Sequence, residues 1–270
     1  MAMIDCYIGS RLQIPSGKLL ENRILEGYRT VSTDRFIEHL ADAIRSKSIW
    51  PEFPSGVTVT EAYSLIPQLT SLISGETSAG IKAGVTNADL QALFGLEEPL
   101  LGLLYQQSET DNAATLSYTA SRRIECELAM RLNSDGSPIS IGPAVEFVRV
   151  DFCRAEDLTP GNVALANLGA DQFILGEMSA WDSFDFTTLA DIDIELKRDG
   201  EVILTTSPLD SFGGPKPARE WCVNKANSLG FAIPQGGVLL AGTNGAAMEA
   251  DPGHYEVSYG PLGTIEFTIA

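Results

Sequence analysis

Two neighbouring stretches constrain this chain more than any others. Arg122-Arg123-Ile124-Glu125-Cys126-Glu127-Leu128 has the pattern of a β-strand, in which every second side chain points to the same face. Glu125 and Glu127 then project together, and Ile124, Cys126, Leu128 and Met130 take the other face. After the turn Asn133-Ser134-Asp135-Gly136-Ser137-Pro138 comes Ile141-Gly142-Pro143-Ala144-Val145-Glu146-Phe147-Val148, a second strand with one carboxylate in an apolar run. A lone charge there is costly unless it is paired or bound to a cation. Judged alone, the first pair reads as a solvated face leaning on Arg122 and Arg123, since surface carboxylates far outnumber metal ligands. Glu146 alone reads as a salt bridge to Arg149, Arg154 or another base. Three carboxylates converging from adjacent strands, however, repel one another. A hard divalent cation such as Mg2+ relieves that repulsion.

Charge narrows the partners. The chain has 36 acidic and 18 basic residues, a formal net charge of −18. That argues against nucleic acid, which demands a basic footprint, and against an anionic membrane surface. Apolar runs are too short for a membrane span. Met1-Ala2-Met3-Ile4-Asp5-Cys6 lacks a basic region leading into an apolar core, so no secretory signal is read and a cytoplasmic location is expected. Cys6, Cys126, Cys153 and Cys222 show no Cys-x-x-Cys spacing and read as reduced, mostly buried thiols. Only His39 and His254 are available for a histidine-based site, and neither lies in a supporting motif. No Gly-x-Gly-x-x-Gly after a strand and no Walker-type loop is present, so nucleotide use has no support.

Glu-x-Glu on one strand followed by Pro-Ala-x-Glu on the next resembles the fumarylacetoacetate hydrolase superfamily. The branch it is most similar to is that of the 2-oxopent-4-enoate hydratases and 4-oxalocrotonate decarboxylases. The resemblance runs from about Phe36 to the C-terminus. It implies Mg2+ or Mn2+ held by Glu125, Glu127 and Glu146, and a 2-oxo acid substrate handled through its enol. Lys82-Ala83-Gly84-Val85-Thr86-Asn87 is similar to the family's Lys-Ile-Gly-Leu-Thr-Ser. It implies a catalytic Lys82 that holds a carboxylate or relays a proton, with Thr86 beside the substrate; the default for any lysine is the surface. At Glu98-Pro99-Leu100-Leu101-Gly102 the relatives usually carry Pro-Asp-aromatic-Gly, so Leu100 stands where they have a proton-handling aspartate. Asn162 to Gly176 keeps Asn167 and Phe173-Ile174-Leu175-Gly176 of a family stretch and lacks both its aspartates, at Asn162 and Ala166. Asn167 is a substrate-binding candidate, although an asparagine in a turn is the commoner case. Thr243, at the exit of Gly237-Val238-Leu239-Leu240-Ala241-Gly242, is another; its hydroxyl could equally be satisfied by the following turn.

The remaining pattern gives a fold. Phe36, Leu40 and Ile44 have helical spacing behind Thr33. Thr58-Val59-Thr60-Glu61 is a capping box for a helix that Pro67 should kink or break and Gly75 can stop. Asn87 caps a short helix closed by Gly95. Residues 105–120 read as a flexible polar loop near the site. Ile192, Ile194 and Leu196, the turn Asp199-Gly200, then Val202 and Leu204 predict a hairpin. A helix follows, with Pro217 in its first turn, Trp221 and Leu229 buried, and Gly230 at its end. The architecture expected is α+β: a small, mainly helical N-terminal portion (1–75) packed on a larger mixed β-sheet catalytic domain (76–270). The function implied is a metal-dependent lyase on a 2-oxo or 2-hydroxydienoic acid, foremost a 2-keto-4-pentenoate hydratase-type hydration through a metal-bound dienolate. A 4-oxalocrotonate-type decarboxylase, an acylpyruvate carbon–carbon hydrolase and a non-catalytic subunit of a hydratase–decarboxylase complex are the alternatives. A homo-oligomer, and association with a pathway partner enzyme, also follow from the resemblance.

Overall fold

The computed structural model describes residues 33–75 and 77–270. Cys6 and the first 32 residues of the expected N-terminal portion lie outside them. Residues 37–270 form one compact unit.

The helices are α1 (33–45), α2 (Val59–Ser74), α3 (Ala88–Phe94), α4 (Pro160–Leu165) and α5 (Pro215–Leu229). The strands are β1 (Gly80–Gly84), β2 (Leu100–Leu104), β3 (Glu109–Thr110), β4 (Thr115–Leu116), β5 (Arg122–Leu132), β6 (Pro138–Arg149), β7 (Ala170–Leu175), β8 (Ser179–Ala180), β9 (Ile194–Arg198), β10 (Glu201–Thr206), β11 (Gly237–Leu240), β12 (Met248–Glu249), β13 (Gly253–Ser258) and β14 (Thr264–Ile269). One mixed sheet runs β2-β1-β11-β5-β6-β7-β3, with β12 on β5 and β8 on β6; a second runs β10-β9-β13-β14-β4. Phe267 of the second sheet meets Phe147 of the first edge-on at 4.9 Å and stacks on Tyr255 at the same distance. The mixed α+β architecture expected from the sequence is thus present.

The β5–β6 hairpin is the spine of the first sheet. Its turn closes through the Asp135 carboxylate, which accepts from the Ser137 N–H at 2.9 Å, and Gly136 supplies a φ of 80°. Pairing places Glu125 directly opposite Glu146 and Glu127 opposite Ala144, so all three glutamates share a face. Behind them Ile124, Cys126, Leu128 and Met130 are buried, as their alternation requires.

Local signals held unevenly. The Thr58–Glu61 capping box is formed in full, and Asn87 accepts from the N–H groups of Asp89 and Leu90 at 2.9 and 3.1 Å. The Asp199-Gly200 turn joins β9 to β10 with both residues left-handed. Pro67 does not break α2: the helix runs unbroken from Val59 to Ser74 with Pro67 on its exposed face. The polar stretch 105–120 is not a free loop, because β3 pairs in parallel with β7 and β4 with β14. On α5, Trp221 and Leu229 are only half-buried, and Pro215, at the start of the helix, fills the N-terminal proline position. The buried face is made of Pro215, Ala218, Cys222, Val223 and Ala226, and the helix packs against β1 and β2.

One tight approach yields a stability prediction. A Cβ on Gly161, in the first turn of α4, would lie 1.9 Å from the Val57 carbonyl oxygen. Gly161→Ala is therefore expected to cost about 1–3 kcal/mol of stability, the usual range for overpacking, read from the urea midpoint. An unchanged midpoint would show that the segment before α2 can move aside freely.

Candidate metal centre

Each of Glu125, Glu127 and Glu146 offers a carboxylate oxygen, and these oxygens lie within 4.8 Å of one another. Glu127 and Glu146 are 0% and 1% exposed, and Glu125 is half-buried. The solvated-face reading therefore fails for Glu127. One oxygen of Glu127 accepts from the Gly242 N–H at 2.7 Å. Its Oε1, like Oε2 of Glu146, is buried with no hydrogen-bond partner. Such orphaned oxygens are rare in a folded interior and leave lone pairs free to bind a cation. Burial, reinforced by the charges of Glu146 and Glu125, holds the Glu127 carboxyl well above the usual range. Burial likewise pushes Glu146 up to about 7, against the opposing pull of Lys82. An all-oxygen cluster of three carboxyl groups, two with open lone pairs, suits a hard divalent cation, whose charge favours their ionised form.

The base facing Glu146 is neither Arg149 nor Arg154. Arg149 pairs with Asp151, and Arg154 with Asp157 and Glu52. It is Lys82 of β1 that ion-pairs with Glu146 from a position 1% exposed. Lys82 reaches there because its face of the sheet is cleared by glycine. Gly102 is its partner on β2, and a Cβ on Gly102 would meet the Lys82 Cγ at 3.2 Å and the Asn167 Oδ1 at 3.0 Å. The Leu168 carbonyl accepts a second, longer bond from Lys82 Nζ at 3.4 Å.

That carbonyl is presented by a strained turn. Asn167, Leu168 and Gly169 have successive φ values of 53°, 55° and 69°, and left-handed geometry costs a non-glycine residue about 1–2 kcal/mol. The Asn167 amide holds the turn: its oxygen accepts from the Leu103 N–H at 2.8 Å and its nitrogen donates to the Leu103 carbonyl at 2.6 Å. Both ends of this side chain are therefore engaged with β2. A second strained residue, Val85 (φ 55°), ends β1. Strain in a β-branched residue beside a buried ion pair is the kind of feature that gathers at functional sites.

A cavity of 260 Å³ opens at Lys82 and Glu125. Thr86 and Thr243 line a different and more polar space of 530 Å³, which shares Leu90 with the first. Both threonines flank the Gly242 strand end: a Cβ on Gly242 would lie 2.5 Å from the Thr86 Cγ2, and Thr243 follows it in sequence. The structure thus gathers Lys82 and the three glutamates, sets Thr86 and Thr243 beside the Glu127 anchor, and holds Asn167 behind Lys82. Leu100 is buried at the start of β2, opposite Gly84.

Two contributors were not read from the sequence. The Gly242 N–H orients Glu127. The Tyr259 hydroxyl donates to the Ala144 carbonyl and accepts from the Glu127 N–H at 3.2 Å, fixing the backbone under two of the glutamates. Burial raises that phenol well above its usual value, so it stays protonated. Burial also pushes the Cys126 thiol up to about 12, which leaves it inert. No motif marks Tyr259, which lies just after β13 of the second sheet, over a hundred residues beyond the strand it supports.

No protein-family model matches the chain. Among curated proteins it is 25% identical to a 2-hydroxyhexa-2,4-dienoate hydratase of Comamonas testosteroni over 88% of this chain and all of the relative. It is 23% identical to a 2-keto-4-pentenoate hydratase of Burkholderia vietnamiensis, over 73% and 79% of the two chains. Among solved structures, 4-oxalocrotonate decarboxylase from Pseudomonas putida G7, complexed with magnesium and adipate, superposes with a TM-score of 0.77 at 19% identity. That match spans 89% of this chain and 98% of the other. The resemblance read from the sequence agrees with these comparisons: the chain is similar in sequence to these hydratases and shares the fumarylacetoacetate hydrolase-like fold of the decarboxylase.

Proposed function

We propose that this chain is a divalent-metal-dependent lyase that hydrates a 2-hydroxydienoic acid, in the manner of 2-keto-4-pentenoate hydratases. The observation that carries the reading is the convergence of three carboxylates, the half-buried Glu125 and the fully buried Glu127 and Glu146 with their orphaned oxygens, beside a cavity lined by Glu125 and the buried Lys82. Glu125, Glu127 and Glu146 would hold Mg2+ or Mn2+. When bound, the cation supplies Lewis-acid stabilisation of charge developing on the substrate's carboxylate and 2-oxo oxygens. Gly242 and Tyr259 keep Glu127 and its strand in place for that task. Lys82 Nζ lies where it can hold the substrate carboxylate or move a proton. The half-turn of Asn167 and Leu168 keeps its ammonium aimed inward. With Leu100 in place of an acid, Lys82 is the cationic proton carrier on the cavity wall beside the carboxylates. The resemblance further supports a cytoplasmic homo-oligomer, with room for a pathway partner enzyme.

Decarboxylation of a 4-oxalocrotonate-like acid is the second reading, favoured by the fold likeness to such a decarboxylase. Both reactions are tested by following loss of dienoate ultraviolet absorbance with Mg2+ or Mn2+ against a chelator. Metal-dependent loss supports the reading, and release or absence of carbon dioxide separates the two. No turnover of either dienoate in the metal-loaded protein would overturn it. Lys82→Met is expected to lower kcat by about 10²–10⁴-fold, the usual worth of a positioned proton carrier. Calorimetry should find the metal still bound. Loss of the metal instead would make Lys82 a structural counterion.

A further inference from the structure

We infer that the cavity beside the glutamates selects 2-oxo acids with an uncharged, apolar tail over those with a second carboxylate. The inference rests on the metal-centre reading for the head of the substrate and concerns the other end. Beyond Lys82 and Glu125, the wall is built from Trp50, Phe94, Phe152, Leu158, Val163 and Leu168. Its 260 Å³ holds roughly eight groups of water size, at about 30 Å³ each. That is room for a chelating head and several further carbons.

A tail carboxylate would need a cation there. Lys82 stands at the head end, committed to Glu146. Among the described residues, Arg149 is the other cation on the wall. It follows Val148 on β6, so alternation turns its side chain to the face of Phe147, away from Glu146. There its guanidinium pairs with Asp151 and donates to the Ser48 carbonyl at 3.3 Å, opposite Arg122. Its Nε has no partner, but it lies on that same far face. The remaining unpartnered donor on the wall is neutral, the buried Trp50 indole N–H. Being uncharged, it cannot neutralise a carboxylate. A carboxylate pushed among these rings would be desolvated without a counter-charge, which is the costly way to bury an ion.

The test uses calorimetry on the full chain loaded with Mg2+ and three ligands. Oxalate carries the chelating head alone. 2-Oxohexanoate and 2-oxoadipate have the same head and the same carbon number, ending in a methyl and a carboxylate. Oxalate should bind only with metal present. 2-Oxohexanoate should bind about 100-fold more tightly than 2-oxoadipate, as an unpaired buried charge implies. Leu158, 47% exposed at the rim, can accept a cation; Leu158→Arg should narrow the gap at least about tenfold. Val163→Phe, which fills the cavity, should weaken 2-oxohexanoate at least about tenfold more than oxalate. Equal or tighter binding of 2-oxoadipate by the wild type, with oxalate binding intact, overturns the tail preference and leaves the metal centre standing. Absence of metal-dependent oxalate binding removes the head site, and both readings fall.

Discussion

Glu127→Gln is expected to abolish tight divalent-metal binding and to make the metal-free protein more stable. The two effects have one cause. Glu127 is fully buried among Glu125, Glu146 and the Gly242 N–H, and its carboxyl is held well above the usual range by burial and by its two neighbours. An amide keeps the acceptor for Gly242 and removes one repelling charge. The folded metal-free wild type retains protons that the unfolded chain gives up. Its stability should therefore fall as pH rises from about 4.5 through about 7, the displaced position of Glu146. The variant should show a shallower slope, and saturating metal should flatten that of the wild type. Metal at a hundredfold excess over Kd should stabilise the wild type by about 2.7 kcal/mol, roughly 5–10 °C in Tm for a unit of this size. Metal-dependent turnover in the variant should drop by more than about 100-fold, since even groups that merely orient a metal ligand are worth 10–100-fold. Thermal scans with Mg2+ or chelator, across pH, measure all of this. A variant stabilised by Mg2+ as strongly as the wild type would remove Glu127 from the centre.

The strand pattern was legible because alternation is local. Period two alone put Glu125 and Glu127 on one face; Glu146 joined them through the family resemblance, and β5 and β6 pair in the register that sets it opposite Glu125. The capping box at Thr58 and the turn at Asp199-Gly200 are likewise four-residue signals. What escaped depends on partners distant in sequence. The polar stretch 105–120 looked mobile because the strands that pin it, β7 and β14, arrive some sixty and a hundred and fifty residues later. Trp221 was expected on the buried face of its helix, yet Ala218, Cys222, Val223 and Ala226 hold that face and Trp221 stays half-buried beside it. Asn167 carried a motif match but no hint of its bonds to Leu103, which turn a candidate ligand contact into a clamp behind Lys82. Lys82 itself, a surface residue by default, is buried because Gly84 and Gly102 clear its face and Glu146 neutralises it.

On the opposite face of the same hairpin, Arg122→Met is expected to cost about 3–5 kcal/mol, the usual result of removing one partner from a buried pair. Arg122 is fully buried in β5, opposite Arg149. Its guanidinium donates to Asp171 at 2.9 Å and to the Ser117 carbonyl, and lies 6.0 Å from the Phe147 ring. Methionine fills the volume and strands the acid, leaving Asp171 with only the half-exposed Lys47 at 3.5 Å. A stable fold has about 5–15 kcal/mol in total, so the variant should approach the unfolding threshold while its folded fraction still binds metal, because Arg122 faces away from the glutamates. Adding Asp171→Asn removes the stranded charge. The double variant should then be no less stable than Arg122→Met alone, giving a coupling of at least about 1 kcal/mol in the cycle. Urea denaturation of the four proteins measures that coupling. A cost below about 1 kcal/mol for the single variant would place this pair with ordinary surface ion pairs and deny it any part in holding the hairpin that carries the glutamates.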